Sequence, residues 1–73
     1  MTFGKAMDSV REDPANKSMR LPHWKPDVKI KIQVPDEYSK MTAPYFYVES
    51  RYGCVPWIPN MIELMGDEWE IGE

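Results

Sequence analysis

The sequence predicts an α+β domain, a small antiparallel sheet with two short helices. Three stretches carry that prediction. Val28, Ile30, Ile32 and Val34 alternate with Lys29, Lys31 and Gln33, the period-two pattern of a sheet with one dry face. Tyr45–Ser50 is rich in aromatic and β-branched residues, the types favoured in strands. Phe3, Ala6, Met7 and Val10 recur at helical spacing.

Taken in order, the first element is a helix capped by Thr2, with Lys5, Asp8, Arg11 and Glu12 on its wet side. Pro14 ends it, because the residue before a proline is pushed out of helical geometry. A short strand, Ser18 to Leu21, follows, with Met19 and Leu21 on one face. Pro22-His23-Trp24-Lys25-Pro26 is a shaped loop, since two prolines remove ladder donors. The alternating strand runs from Val28 to Val34, and Pro35-Asp36 breaks it. Residues 36–44 form a loop ending at Pro44.

In the next strand, 45–50, Phe46 and Val48 share one face and Tyr45, Tyr47 and Glu49 the other. Tyr52-Gly53 reads as a hairpin turn into a short strand, Cys54 to Trp57. Asn60 caps a second helix, and Glu63 three residues later completes a capping box. Met61, Leu64 and Met65 form its apolar stripe, and Gly66 stops it. Trp69 and Ile71 alternate with Glu68 and Glu70 in a final strand.

Residues 1–73 make one domain. Hydrophobic residues are 42% of the chain and aromatics 12%, enough for a core and too many for a disordered chain. The core is nonetheless small, because a domain of this size buries only ~60% of its unfolded surface. The single cysteine, Cys54, forbids an internal disulfide, and one His with one Cys does not make a closed zinc site. Association with further copies is the remaining common source of stability. No apolar run approaches the ~20 residues that span a bilayer. Met1–Lys5 has no basic-then-apolar pattern, so no signal peptide is expected. A lone thiol fits the reducing cytoplasm, and a soluble cytoplasmic protein is expected.

The net charge of −3 argues against non-specific nucleic-acid binding. Its distribution is uneven. Lys17, Arg20, Lys25, Lys29 and Lys31 cluster against Asp27 alone, whereas Glu63, Asp67, Glu68, Glu70 and Glu73 are all acidic. These are either two solvated faces or, for some of the cations, contacts to an anionic ligand.

Three tryptophans stand beside prolines or charges: Trp24 between Pro22 and Pro26, Trp57 after Pro56, Trp69 after Glu68. Two readings are open. The rings are core or interface anchors, or stiff loops present them to a planar ligand, where each stacked base contributes ~1–3 kcal/mol. On the second reading Arg20, Lys25 and Arg51 meet phosphate oxygens, arginine being the better bidentate partner. Nothing pairs a nucleophile with a base and an orienting third group, and the four glycines form no phosphate loop. No catalytic residue, metal or cofactor is expected.

The ordered set Thr-Phe-Gly-Lys-Ala (2–6), Arg20 to Trp24, Tyr-Phe-Tyr-Val (45–48), Gly53, Val-Pro-Trp-Ile-Pro-Asn (55–60) and Leu64-Met-Gly-Asp-Glu-Trp69-Glu resembles the Thoeris anti-defence protein 2 family of small phage and prophage proteins. The resemblance spans nearly the whole chain. It implies a non-enzymatic homotetramer that sequesters a cyclic ADP-ribose-type immune signal between subunits, in some members with cyclic dinucleotides at a separate site. By similarity, Trp24 and Trp57 wall the pocket, Asn60 and Glu63 shape its rim, and Arg20 or Arg51 faces the phosphates. The alternative is a protein–protein module that inhibits a host protein through an aromatic patch.

Overall fold

The computed structural model describes residues 1–72. Glu73, the last of the acidic run, lies outside the described residues. The order is α1 (Phe3–Glu12), β1 (Ser18–Arg20), β2 (Lys29–Gln33), β3 (Tyr45–Ser50), β4 (Gly53–Pro56), α2 (Met61–Met65) and β5 (Glu70–Gly72). The strands form one antiparallel sheet in the spatial order β4-β3-β2-β1-β5. The predicted α+β class is therefore the observed one.

Helix α1 begins where Thr2 Oγ1 accepts the Lys5 N–H at 3.3 Å, and it lays Phe3, Ala6 and Val10 on the sheet. Against them pack Met19 of β1, Ile30 and Ile32 of β2, Leu21 and Trp69. The helix and strand periods thus meet in one core. Each fully buried aliphatic side chain there contributes about 1.5–3 kcal/mol. That outweighs the partly exposed ion pairs Lys29–Glu49 and Lys31–Glu49, both 3.6 Å, because such surface pairs give about 0–1 kcal/mol.

The ends of several elements differ from expectation. Strand β1 stops at Arg20, although Leu21 is still buried, and β4 is shifted one residue earlier. Strand β2 is shorter than the alternating run. Val34 is 55% exposed and lies beyond the last pairing, Gln33 with Tyr45, so alternation outruns the sheet that covers it. Gly53 takes φ +115°, the left-handed side that a hairpin turn demands. Gly66 ends α2 differently, in extended geometry. A Cβ there would meet the Ile62 carbonyl at 3.3 Å, so its use is close approach rather than a left-handed cap.

The larger correction concerns α2. Its apolar stripe of Met61, Leu64 and Met65 is exposed, as are Ile58 and Ile62, at 88% and 86%. Helical spacing identified the stripe but not what lies against it. No described helix is long and apolar enough to cross a membrane.

Candidate functional site

Trp24 is held by backbone geometry before any ring contact is made. Its N–H donates to the Leu21 carbonyl at 3.1 Å, and Val28 N–H donates to Lys25 at 3.0 Å, so the proline-flanked loop is two consecutive turns. The Arg20 guanidinium donates through Nη2 to the Trp24 carbonyl. Arg20 Nε is buried and has no partner among the described residues. Arg20 therefore braces the loop and keeps one donor unsatisfied, which costs free energy in a single chain.

Trp57 follows β4 directly, and its N–H donates to the Phe46 carbonyl at 3.1 Å. From there the chain crosses the α1 side of the sheet to β5 at the opposite edge. The crossing brings the three indoles together. Trp24 and Trp57 have centroids 6.4 Å apart at 79°. Trp69 lies 5.4 Å from Trp24 at 90° and 6.2 Å from Trp57 at 75°. These edge-to-face contacts suit the ring quadrupole. Phe3 stacks on Trp57 at 6.3 Å and 29°, and Phe46 meets it edge-on at 5.9 Å. Trp69 is sealed at 1% exposure, whereas Trp24 and Trp57 are half-buried at the rim of the core. Phe3 and Phe46 are neighbours of the indoles that sequence order does not mark as such. Their signal was only that each falls on the dry face of its element.

Asn60 and Glu63 spend their side chains on each other's backbone. Asn60 Oδ1 accepts the Glu63 N–H and Glu63 Oε1 accepts the Asn60 N–H, both at 2.8 Å. The Glu63 carbonyl also accepts Trp69 Nε1–H at 2.9 Å. The expected capping box thus exists and is tied to the buried indole.

Arg51 stands apart. It lies at the β3–β4 turn, with the four residues of β4 between it and Trp57. Asp27 Oδ2 accepts both its backbone N–H and its Nε–H, each at 3.1 Å. These bonds, the backbone one first, hold the Asp27 carboxyl below its ordinary value of 3.8. Of the six expected site residues, the single chain gathers Trp24, Trp57, Arg20, Asn60 and Glu63 around Trp69, and leaves Arg51 out.

The sheet face away from α1 carries Lys29, Lys31, Tyr45, Tyr47 and Glu49. One carboxylate lies between two ammonium groups, so Lys29 and Lys31 of the basic segment share Glu49. Burial, and then Glu49, raises the Tyr47 phenol above 10.0. Next to it is a cleft of 280 Å³ lined by Gln33, Tyr45, Tyr47, Cys54, Val55 and Pro56. A second cleft, of 290 Å³, lies between α1 and β3 beside Met7, Arg11 and Phe46, and a third, of 290 Å³, between Pro14 and Tyr47. None of the three is lined by Trp24 or Trp57. No three His, Cys, Asp or Glu residues gather as a metal site among the described residues.

A family model described as a Thoeris anti-defense 2-like (Tad2-like) domain matches residues 1–72. No curated protein matches the chain.

Proposed function

The chain belongs to the Thoeris anti-defense 2-like family, so its role is in anti-defence, and from that premise we propose that it binds and sequesters a cyclic nucleotide immune signal without degrading it. The signal is of the glycocyclic ADP-ribose type, with cyclic dinucleotides as a further class. Copies of the chain assemble, as a homotetramer, and hold the signal where they meet, in the cytoplasm of an infected bacterium.

The observation that carries this reading is the pair of half-buried rings, Trp24 and Trp57, 6.4 Å apart at the core rim with Arg20 beside them. Their inner edges serve the core, and their outward surface is left for a heterocycle. Arg20, partly exposed beside Trp24, brings a cation suited to a phosphate oxygen. Capture needs tight binding and slow release rather than transition-state complementarity. Nanomolar affinity requires about 12 kcal/mol, of which one stacked adenine supplies about 1–3 kcal/mol. Charge-assisted contacts and enclosure must supply the rest. None of the three clefts is lined by these rings, and a second copy supplies the enclosure.

Calorimetric titration with glycocyclic ADP-ribose and with a panel of cyclic dinucleotides tests the reading. Saturable heat with at least one of them is expected. No heat with any of them contradicts it. Trp57→Ala should remove the heat while the protein stays folded.

A further inference from the structure

Seven of the large exposed hydrophobic residues, Tyr52, Val55, Ile58, Met61, Ile62, Leu64 and Met65, fall in one stretch of chain that runs from the β3–β4 turn through β4 to α2. All four residues of β4 are exposed, and one side of the strand has no neighbour. We infer that a second copy of this chain pairs with the free edge of β4 about a two-fold axis at Cys54, continuing the sheet and covering Val55, Ile58 and α2. The inference rests on the self-assembly reading above and names the surface that reading requires.

The hydrogen-bond pattern of the hairpin defines the edge. Trp57 N–H donates to Phe46, so Phe46–Trp57 is a hydrogen-bonded position of the ladder. Val48–Val55 and Ser50–Gly53 occupy the same phase two and four residues along. Cys54 and Pro56 fall in the opposite phase, and their backbone groups point away from β3. Pro56 has no N–H, so within β4 the outward edge has a single donor, that of Cys54, next to its own carbonyl. One donor beside one acceptor on a single residue is self-complementary. Two copies related by a two-fold axis at Cys54 exchange N–H···O=C bonds reciprocally, whereas a shift by two residues puts Pro56 where a donor is needed.

Charge selects the occupant. Strand β4, Gly53-Cys54-Val55-Pro56, carries no charged side chain at neutral pH, and the stretch from Tyr52 to Met65 contains only Glu63. In a two-fold contact each patch meets itself, so a charged patch repels its copy and a neutral apolar one does not. The sheet's other edge, β5, carries Glu70 just after Asp67 and Glu68, and two such edges would set like charges together. A polyanion such as a nucleic acid would need cations that the β4 edge lacks.

The side chains agree with the backbone. Val55 opposes Val48, which opposes Ile30, so Val55 lies on the side of the sheet that α1 covers. Helix α2 touches α1 and lies on that same side. A copy added at β4 therefore runs beside Val55, Ile58 and α2. Trp57 and Asn60 lie within this stretch, so the incoming copy flanks the half-buried Trp57 and adds a wall beside its outward face.

Light scattering of the full chain and of three variants tests the inference. Cys54→Pro removes an amide that points away from β3, so no ladder bond within the chain is lost. Val55→Lys places a charge on the flank. Cys54→Ser retains the amide. The expected result is a smaller particle for Cys54→Pro and for Val55→Lys, wild-type size for Cys54→Ser, and slowed hydrogen exchange at the outward-facing Cys54 amide of the wild type. Far-ultraviolet circular dichroism reports that each variant is folded. An assembled wild type whose size neither Cys54→Pro nor Val55→Lys changes, with a fast-exchanging Cys54 amide, places the contact elsewhere and overturns this inference alone. A wild type that stays monomeric at all concentrations overturns the self-assembly reading with it.

Discussion

Asp27 receives two hydrogen bonds from Arg51 on one oxygen: Oδ2 accepts the Arg51 backbone N–H and the Arg51 Nε–H, each at 3.1 Å. The two residues are 24 positions apart in sequence. Their pairing ties the end of the Trp24 loop to the β3–β4 turn.

This tether has a defined pH dependence. The folded Asp27 carboxyl lies below 3.8, its ordinary value, chiefly because of the Arg51 N–H. A carboxyl depressed in the folded state adds stability above its unfolded pKa and loses it as pH falls through the folded one. The contribution is therefore full at neutral pH and disappears in the acid range below 3.8. Melting temperatures measured across that range should fall more steeply for the wild type than for Asp27→Asn. Parallel curves would show that the tether contributes nothing.

Trp69 is the centre of the core rather than part of a ligand wall. Its ring is sealed and its Nε1–H donates to Glu63. Trp69→Ala should cost about 3–5 kcal/mol in urea denaturation, the usual loss for a buried aromatic. In a domain this small that is a large part of the stability. Trp24→Ala and Trp57→Ala, at the rim, should cost clearly less than Trp69→Ala. Equal losses for all three would mean that none of the rings is free for a ligand.

Asn60→Ala removes the acceptor for the Glu63 N–H. A lost N-cap costs about 1 kcal/mol, and α2 buries none of its own residues to offset it. Hydrogen exchange should accelerate at Glu63 and Leu64 while Ile30 and Met19 in the sheet stay protected. Uniform acceleration throughout the chain would show that α2 is part of the global folding unit instead.

The strands and α1 were legible because burial on one side imposes a period that can be read from residue order, as Ile30 with Ile32 and Phe3 with Ala6 and Val10 show. The capping box was legible because it is local, its two residues three positions apart. What sequence order concealed was non-local. The stripe of Met61, Leu64 and Met65 has helical spacing whether it faces a core or solvent. Arg51 is an unattached cation until strand register places Asp27 beside it. Trp57 joins Trp24 only because the chain crosses the sheet between β4 and β5, a connection that no pattern within either segment specifies.

The central claim is that this chain holds a small signalling nucleotide intact. The most direct measurement is mass spectrometry of the small molecules released by heating protein purified from infected, defence-active cells. The account predicts an unbroken cyclic nucleotide, in amounts comparable to the protein and absent from Trp57→Ala prepared in the same way. No released nucleotide, or only linear cleavage products, would contradict it.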